Sequence, residues 1–159
     1  MSIEPKYRAL TPAELNELEK EFVDYLIVNG ITADAWVRIK EEEQEKAEDI
    51  VTLFSDVILE GVLRKIRFLE HRTKNDIKVF QCLDKKMVLV GMTCINDDVD
   101  FTDPDFFEKA CINPPEGVKV YTAEKVYTKE RELELFGMIQ DGCSISNGQS
   151  FKAISLVLV

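Results

Sequence analysis

His71 is the one histidine of the chain, and it lies between Glu70 and Arg72. An imidazole that changes charge near neutral pH, oriented by a carboxylate, is the minimum needed for acid–base chemistry. Alternation along a strand sends Glu70 and His71 to opposite faces, with Leu69 on the face of His71. The expected reading is therefore a hydrogen-bonded structural histidine. A thiol nucleophile needs a base within reach and an environment that lowers its pKa. His71 could meet Cys82 or Cys94 across a meander. These cysteines, however, alternate with Phe80, Val88, Val90 and Met92, and free cysteine usually packs as a small hydrophobe.

Asp97, Asp98, Asp100, Asp103 and Asp105 form a sharp cluster of aspartates, which makes them the candidate ligands for a hard cation such as calcium. Counting from Asp98, position six is Asp103 and position twelve is Lys109, where an EF-hand requires glycine and glutamate. Turn formation and helix capping also account for aspartates of this kind. The run Gly142-Cys143-Ser144-Ile145-Ser146-Asn147-Gly148 has the composition of a phosphate cradle. It follows a helix and is expected to enter a strand, whereas such cradles open a helix. The chain shows no nucleophile elbow, dinucleotide fingerprint or Walker lysine, and no cofactor is expected.

The elements that must position these groups fit one α+β domain spanning 1–159. The chain has 159 residues, 45% of them apolar, so a sizeable core can be buried. Thr11-Pro12-Ala13-Glu14 reads as N-cap, first helical position and capping box. Leu15, Leu18, Phe22, Tyr25 and Leu26 continue that helix to Asn29-Gly30. Thr32 caps a second helix bearing Asp34, Trp36 and Ile39, with a break expected near Glu41–Glu45. Ile50, Val51, Phe54, Val57, Ile58 and Val62 place a third, most buried helix over 46–65, and Gly61 there suggests close packing.

From Arg67 the period drops to two. The pattern gives strands over 67–73, 77–83 and 87–95, an antiparallel meander whose third strand is apolar on both faces and so lies inside the sheet. Asp103-Pro104 opens a short helix to Ala110. A strand spans Val118–Tyr121, and Thr128 caps a helix bearing Leu133, Phe136 and Ile139 that stops at Gly142. Asn147-Gly148 signals a hairpin joining 143–146 to a last strand over 150–159. The N-terminal helices are expected to pack on the sheet.

Several segments taken together carry a resemblance. They are Lys6-Tyr7-Arg8-Ala9-Leu10-Thr11, Ile31-Thr32-Ala33-Asp34-Ala35-Trp36, Leu53-Phe54-Ser55-Asp56, Gly61-Val62-Leu63, Phe68-Leu69-Glu70-His71 and Tyr121-Thr122-Ala123. On these the chain resembles a family of small uncharacterised bacterial proteins of the Bacteroidetes type, a domain of unknown function. The resemblance spans most of the chain outside Cys94–Val118. It implies a bacterial, cytosolic origin and supplies no substrate, cofactor or catalytic residue.

Thirty acidic residues against 20 basic ones give a net charge of -10. That field disfavours nucleic acid and anionic membrane, and Lys85-Lys86 and Arg64-Lys65 are pairs rather than patches. Met1–Pro5 lacks the basic and apolar regions of a secretory signal, and no apolar run can cross a bilayer. Cys82, Cys94, Cys111 and Cys143 lack zinc-site spacing and read as reduced thiols of a cytoplasmic protein. The expected function is a non-enzymatic interaction module, with homodimerisation through the β-prone segment Ala153–Val159 if it lies on a sheet edge. The alternative is a small enzyme or ligand-binding protein built on His71 with a nearby acid or thiol, or a cation-binding acidic loop.

Overall fold

The computed structural model describes residues 2–158 and has an α+β architecture, helices first and an antiparallel sheet after them. Its internal contacts divide it into two compact units, Met1–Arg64 and Lys65–Val159.

The first unit is helical: α1 (Pro12–Glu17), α2 (Glu19–Val28), α3 (Ala33–Glu42) and α4 (Gln44–Lys65). The capping box forms as its residues dictate. The Glu14 amide donates to Thr11 Oγ1 at 3.2 Å, and the Thr11 amide donates to Glu14 Oε1 at 2.9 Å. Arg8 grips the same carboxylate with both terminal nitrogens, and this ion pair pulls Glu14 down to about 2. The expected first helix is divided at Leu18, whose φ of -105° interrupts the helical run. The break among the glutamates falls at Glu43.

Phe54 is the centre of this unit, 1% exposed, with Phe22 and Tyr25 edge-on at 5.0 and 5.3 Å. Ser55, also buried, donates to the Val51 carbonyl and accepts the Leu10 amide, so burying its hydroxyl costs little. Two expectations for α4 are corrected. Val57 and Val62 are exposed, while Thr52, Ser55 and Leu63 are buried, so the inward stripe is rotated from the one read off the apolar residues. At Gly61 a β-carbon would meet nothing within 4 Å, so close packing does not explain that glycine.

The second unit is a five-stranded antiparallel sheet with three helices. Strands β1 (Phe68–Thr73), β2 (Asp76–Cys82) and β3 (Lys86–Thr93) form the meander. The order is β4-β3-β2-β1-β5, with β4 at Lys119–Val126 and β5 at Ser144–Ser146, so the apolar β3 is an interior strand. One face, bearing Ile77, Val79, Val90 and Met92, is closed by α5 (Pro104–Ile112) and α7 (Gln149–Val157) through Phe101, Phe107, Ala110 and Ile154. Arg72 fastens this face. It pairs with Glu70 at 2.5 Å, donates to the Phe101 carbonyl and Ser150 Oγ, and lies over the Phe107 ring.

The C-terminal hairpin near 143–159 is corrected. Ser144–Ser146 is a strand, but Gln149–Val157 is a helix, and Val159 lies outside the described residues. Asn147-Gly148 does make a turn, one that leads from strand to helix. Gly148 has φ +92° and sits where a β-carbon would come within 2.6 Å of the Phe68 ring. Phe151, Ile154 and Val157, three residues apart, then bury against the sheet. Thr128 is not a helix cap: α6 (Arg131–Gln140) begins at N-cap Glu130, and Thr128 donates its amide and hydroxyl to the Glu134 carboxylate.

Truncating Phe54→Ala is expected to cost about 3–5 kcal/mol in chemical denaturation. A loss under about 1 kcal/mol would contradict its place at the centre of the first unit.

Candidate functional site

Strand register decides which polar groups meet. His71 pairs with Lys78, Leu69 with Phe80, and Met87 with Lys125. Because side chains alternate, His71, Lys78, Phe80, Met87 and Lys125 share the face opposite the α5–α7 core. Helix α6 adds Met138 and, from its C-terminal turn, Asp141 and Cys143. Together these residues line an open concavity of about 350 Å³, entirely within the second unit.

The helix ending builds one wall. The Gly142 amide donates to the Ile139 carbonyl at 3.1 Å and the Cys143 amide to the Met138 carbonyl at 3.0 Å. These are the two bonds of a Schellman motif, with Gly142 at φ +116° in the left-handed position. The reversal leaves Asp141 and Cys143 on either side of Gly142. The His71 ring packs onto the glycine, its Nε2 3.3 Å from where a β-carbon would stand. Residues 144–146 then pair with β1, which holds the turn beside His71.

The other wall is held electrostatically. Lys78 Nζ lies 2.5 Å from Asp76 Oδ2, and the Tyr121 hydroxyl donates to Asp76 Oδ1 at 2.7 Å. Hydrogen bonding to Asp76 raises the Lys78 pKa, so its ammonium stays charged; burial and the same carboxylate push Tyr121 up. Lys125 stands 3.7 Å from Glu134, a carboxylate 5% exposed. Burial alone would raise Glu134, but the Thr128 hydroxyl and amide with Lys125 hold it below the usual carboxylate range.

His71 and Asp141 have no side-chain hydrogen bond or ion pair among the described residues. Burial first, then the Asp141 charge, pushes the Cys143 thiol up. The concavity therefore offers an imidazole, two ammonium groups, one carboxylate and a neutral thiol around the apolar Phe80, Met87 and Met138.

The structure places His71 beside an acid and a thiol, Asp141 and Cys143, other than the candidates Glu70, Cys82 and Cys94. Glu70 faces the other side and binds Arg72. Cys82 lies four residues along β2 from Lys78, roughly 13 Å at strand rise, and burial lifts its thiol to about 11. Cys94 is buried in the core under α5 and α7. Asp141, Cys143, Lys78 and Lys125 were missed as site residues. The usable signal is strand alternation carried through the two tight turns of the meander, which puts 71, 78, 80 and 87 on one face, together with Gly142 as a helix stop; 125 lies beyond the longer β3–β4 connection.

The acidic loop serves local structure. Asp100 accepts the Thr102 amide and hydroxyl, which lowers its pKa, and Asp103 caps α5 by accepting the Asp105 amide. Neither Asp97–Asp105 nor the trio His71, Asp141 and Cys143 supplies three donor atoms within 4.8 Å of one another among the described residues. The glycine-bearing run 142–148 does lead into a helix, contrary to expectation. Its Gly148 and Gln149 amides, however, are already engaged by Ser146 Oγ and Asn147 Oδ1. A second concavity, about 430 Å³ in the first unit, is apolar around Trp36, Ala47 and Val51, and Lys40 lies over the Trp36 ring at 5.8 Å.

The chain belongs to a family of unknown function, DUF6495, whose model matches residues 1–159. No curated protein and no solved structure matches the chain. Among the described residues no helix is long and apolar enough to cross a membrane.

Gly142→Ala is expected to lower stability by about 1–2 kcal/mol, because an L-residue resists the left-handed position. It should also displace the His71 ring resonances in NMR spectra. Unchanged His71 signals would contradict the packing of the imidazole on Gly142.

Proposed function

We propose that the protein binds a small molecule in the His71 concavity and performs no chemistry on it. One observation carries this reading: His71, Asp141 and Cys143 line a common apolar-floored pocket, within the size range of small-ligand sites though near its lower end. Binding is favoured over catalysis because the thiol is pushed up rather than down, and among the described residues no carboxylate bonds the imidazole.

A second reading, self-association through a sheet edge, has lost the strand that first suggested it, since 149–157 is helical. It now rests on β4, an eight-residue edge strand paired on one side only among the described residues. Lys119, Glu124 and Lys125 punctuate that strand with charge, which is how sheet edges are kept from pairing. This weighs against a homodimer.

A fragment set titrated into isotope-labelled protein tests the first reading. Hits are expected to shift His71, Cys143 and the Met87 and Met138 methyl groups together, and Met138→Trp should abolish those shifts by filling the pocket. Hits confined to other surfaces, or none at all, would sink the reading. Light scattering of the same samples should report a monomer.

A further inference from the structure

Resting on the ligand-binding reading, we infer that the pocket takes the zwitterion of an amino acid with an apolar side chain. The lining favours a ligand that carries both signs of charge. A lone anion would face Asp141, which has no side-chain partner to neutralise it, and the field of a chain with net charge -10. A lone cation would satisfy Asp141 but leave His71 and the spare Lys78 donors without an acceptor, Lys78 and Lys125 being already paired with Asp76 and Glu134. A zwitterion carries no net charge to be repelled and has one group for each sign.

Position supports the assignment. Asp141 is the C-cap of α6, so its carboxylate adds to the negative end of the helix dipole, and the two together suit an ammonium group. His71, packed on Gly142 beside Asp141, and Lys78 are register partners on adjacent strands and point to the same side. Lys78 keeps donors beyond the one spent on Asp76, and His71 has none of its hydrogen-bonding capacity engaged within the described residues. They form a paired seat for a carboxylate. Phe80, Met87 and Met138 supply the apolar floor for the remaining side chain, and about 350 Å³ admits one such molecule rather than a peptide.

The test is an NMR and calorimetric titration with L-leucine and L-methionine beside two half-molecules, 4-methylpentanoate and 3-methylbutylamine. The amino acids should bind at least about tenfold tighter than either half, the worth of one charge-assisted hydrogen bond. Asp141→Asn, an exposed position where folding is not at stake, should weaken L-leucine about tenfold while leaving 4-methylpentanoate no weaker. Equal binding of a half-molecule, or indifference of L-leucine to Asp141→Asn, overturns the zwitterion. Binding of 4-methylpentanoate alone at His71 and Met138 overturns it too, yet leaves the ligand-binding reading standing. Silence from all four compounds also overturns it, and the fragment titration then decides the broader reading separately.

Discussion

The left-handed reversal at Gly142 is the constraint on which the site depends. Helix α6 has to end, turn and deliver residues 144–146 in register with β1, all within a few residues. The two Schellman bonds, Gly142 to Ile139 and Cys143 to Met138, satisfy the last carbonyls and fix the direction of exit. Because Gly142 has no side chain, the imidazole of His71 can lie against it. A helix that ended one residue earlier or later would rotate Asp141 and Cys143 out of the pocket together, since consecutive helical residues lie about 100° apart.

The sheet meets two different environments. One face is closed by α5 and α7 over a continuous cluster from Ile77 to Ile154, and the polar groups at its margin are absorbed by Arg72 and its partners. The other face mixes the fully buried Leu69, Met87 and Cys82 with the half-buried His71, Lys78 and Phe80. A buried polar side chain costs free energy unless it is paired. Lys78 pairs with Asp76, and Glu134 is held through Oε1 while its buried Oε2 has no hydrogen-bond partner among the described residues; half-buried His71 and exposed Asp141 carry no side-chain hydrogen bond there. Under the proposed ligand-binding reading, that distribution supplies a held rim, an apolar floor and two polar groups able to take a partner. Burial also pushes the Cys82 and Cys143 thiols up, which works against cysteine chemistry there.

Much of the scaffold was legible because local signals and tertiary packing agree. Thr11 and Glu14 cap each other, Asp103 and Pro104 open α5, the tight turns after Thr73 and Cys82 set the meander, and Gly142 stops α6. Where they disagree, the sequence misleads. Ala153–Val157 is rich in β-prone residues, yet the three-residue recurrence of Phe151, Ile154 and Val157 matches the groove beside Val90 and Met92. Burying that stripe outweighs intrinsic preference, which spans only about 1 kcal/mol per residue. Asn147-Gly148 has the signature of a hairpin, but the steric demand comes from Phe68, which leaves no room for a β-carbon at 148. The site was legible only in part. Strand parity correctly separated His71 from Glu70, but joining His71 to Asp141 and Cys143 needs the β1–β5 pairing, a contact between segments some seventy residues apart that no local pattern encodes.

The most direct measurement is a nuclear Overhauser spectrum of the labelled protein, read for contacts between the His71 ring and Gly142. With Cδ2 3.4 Å from the place of a β-carbon, a strong cross-peak to a Gly142 α-proton is required, along with an α-proton to α-proton contact between Leu69 and Ile145, an antiparallel pair whose Leu69 amide faces β2. A His71 ring that instead contacts Cys82 or Cys94, with no cross-peak to Gly142, would contradict the site as described.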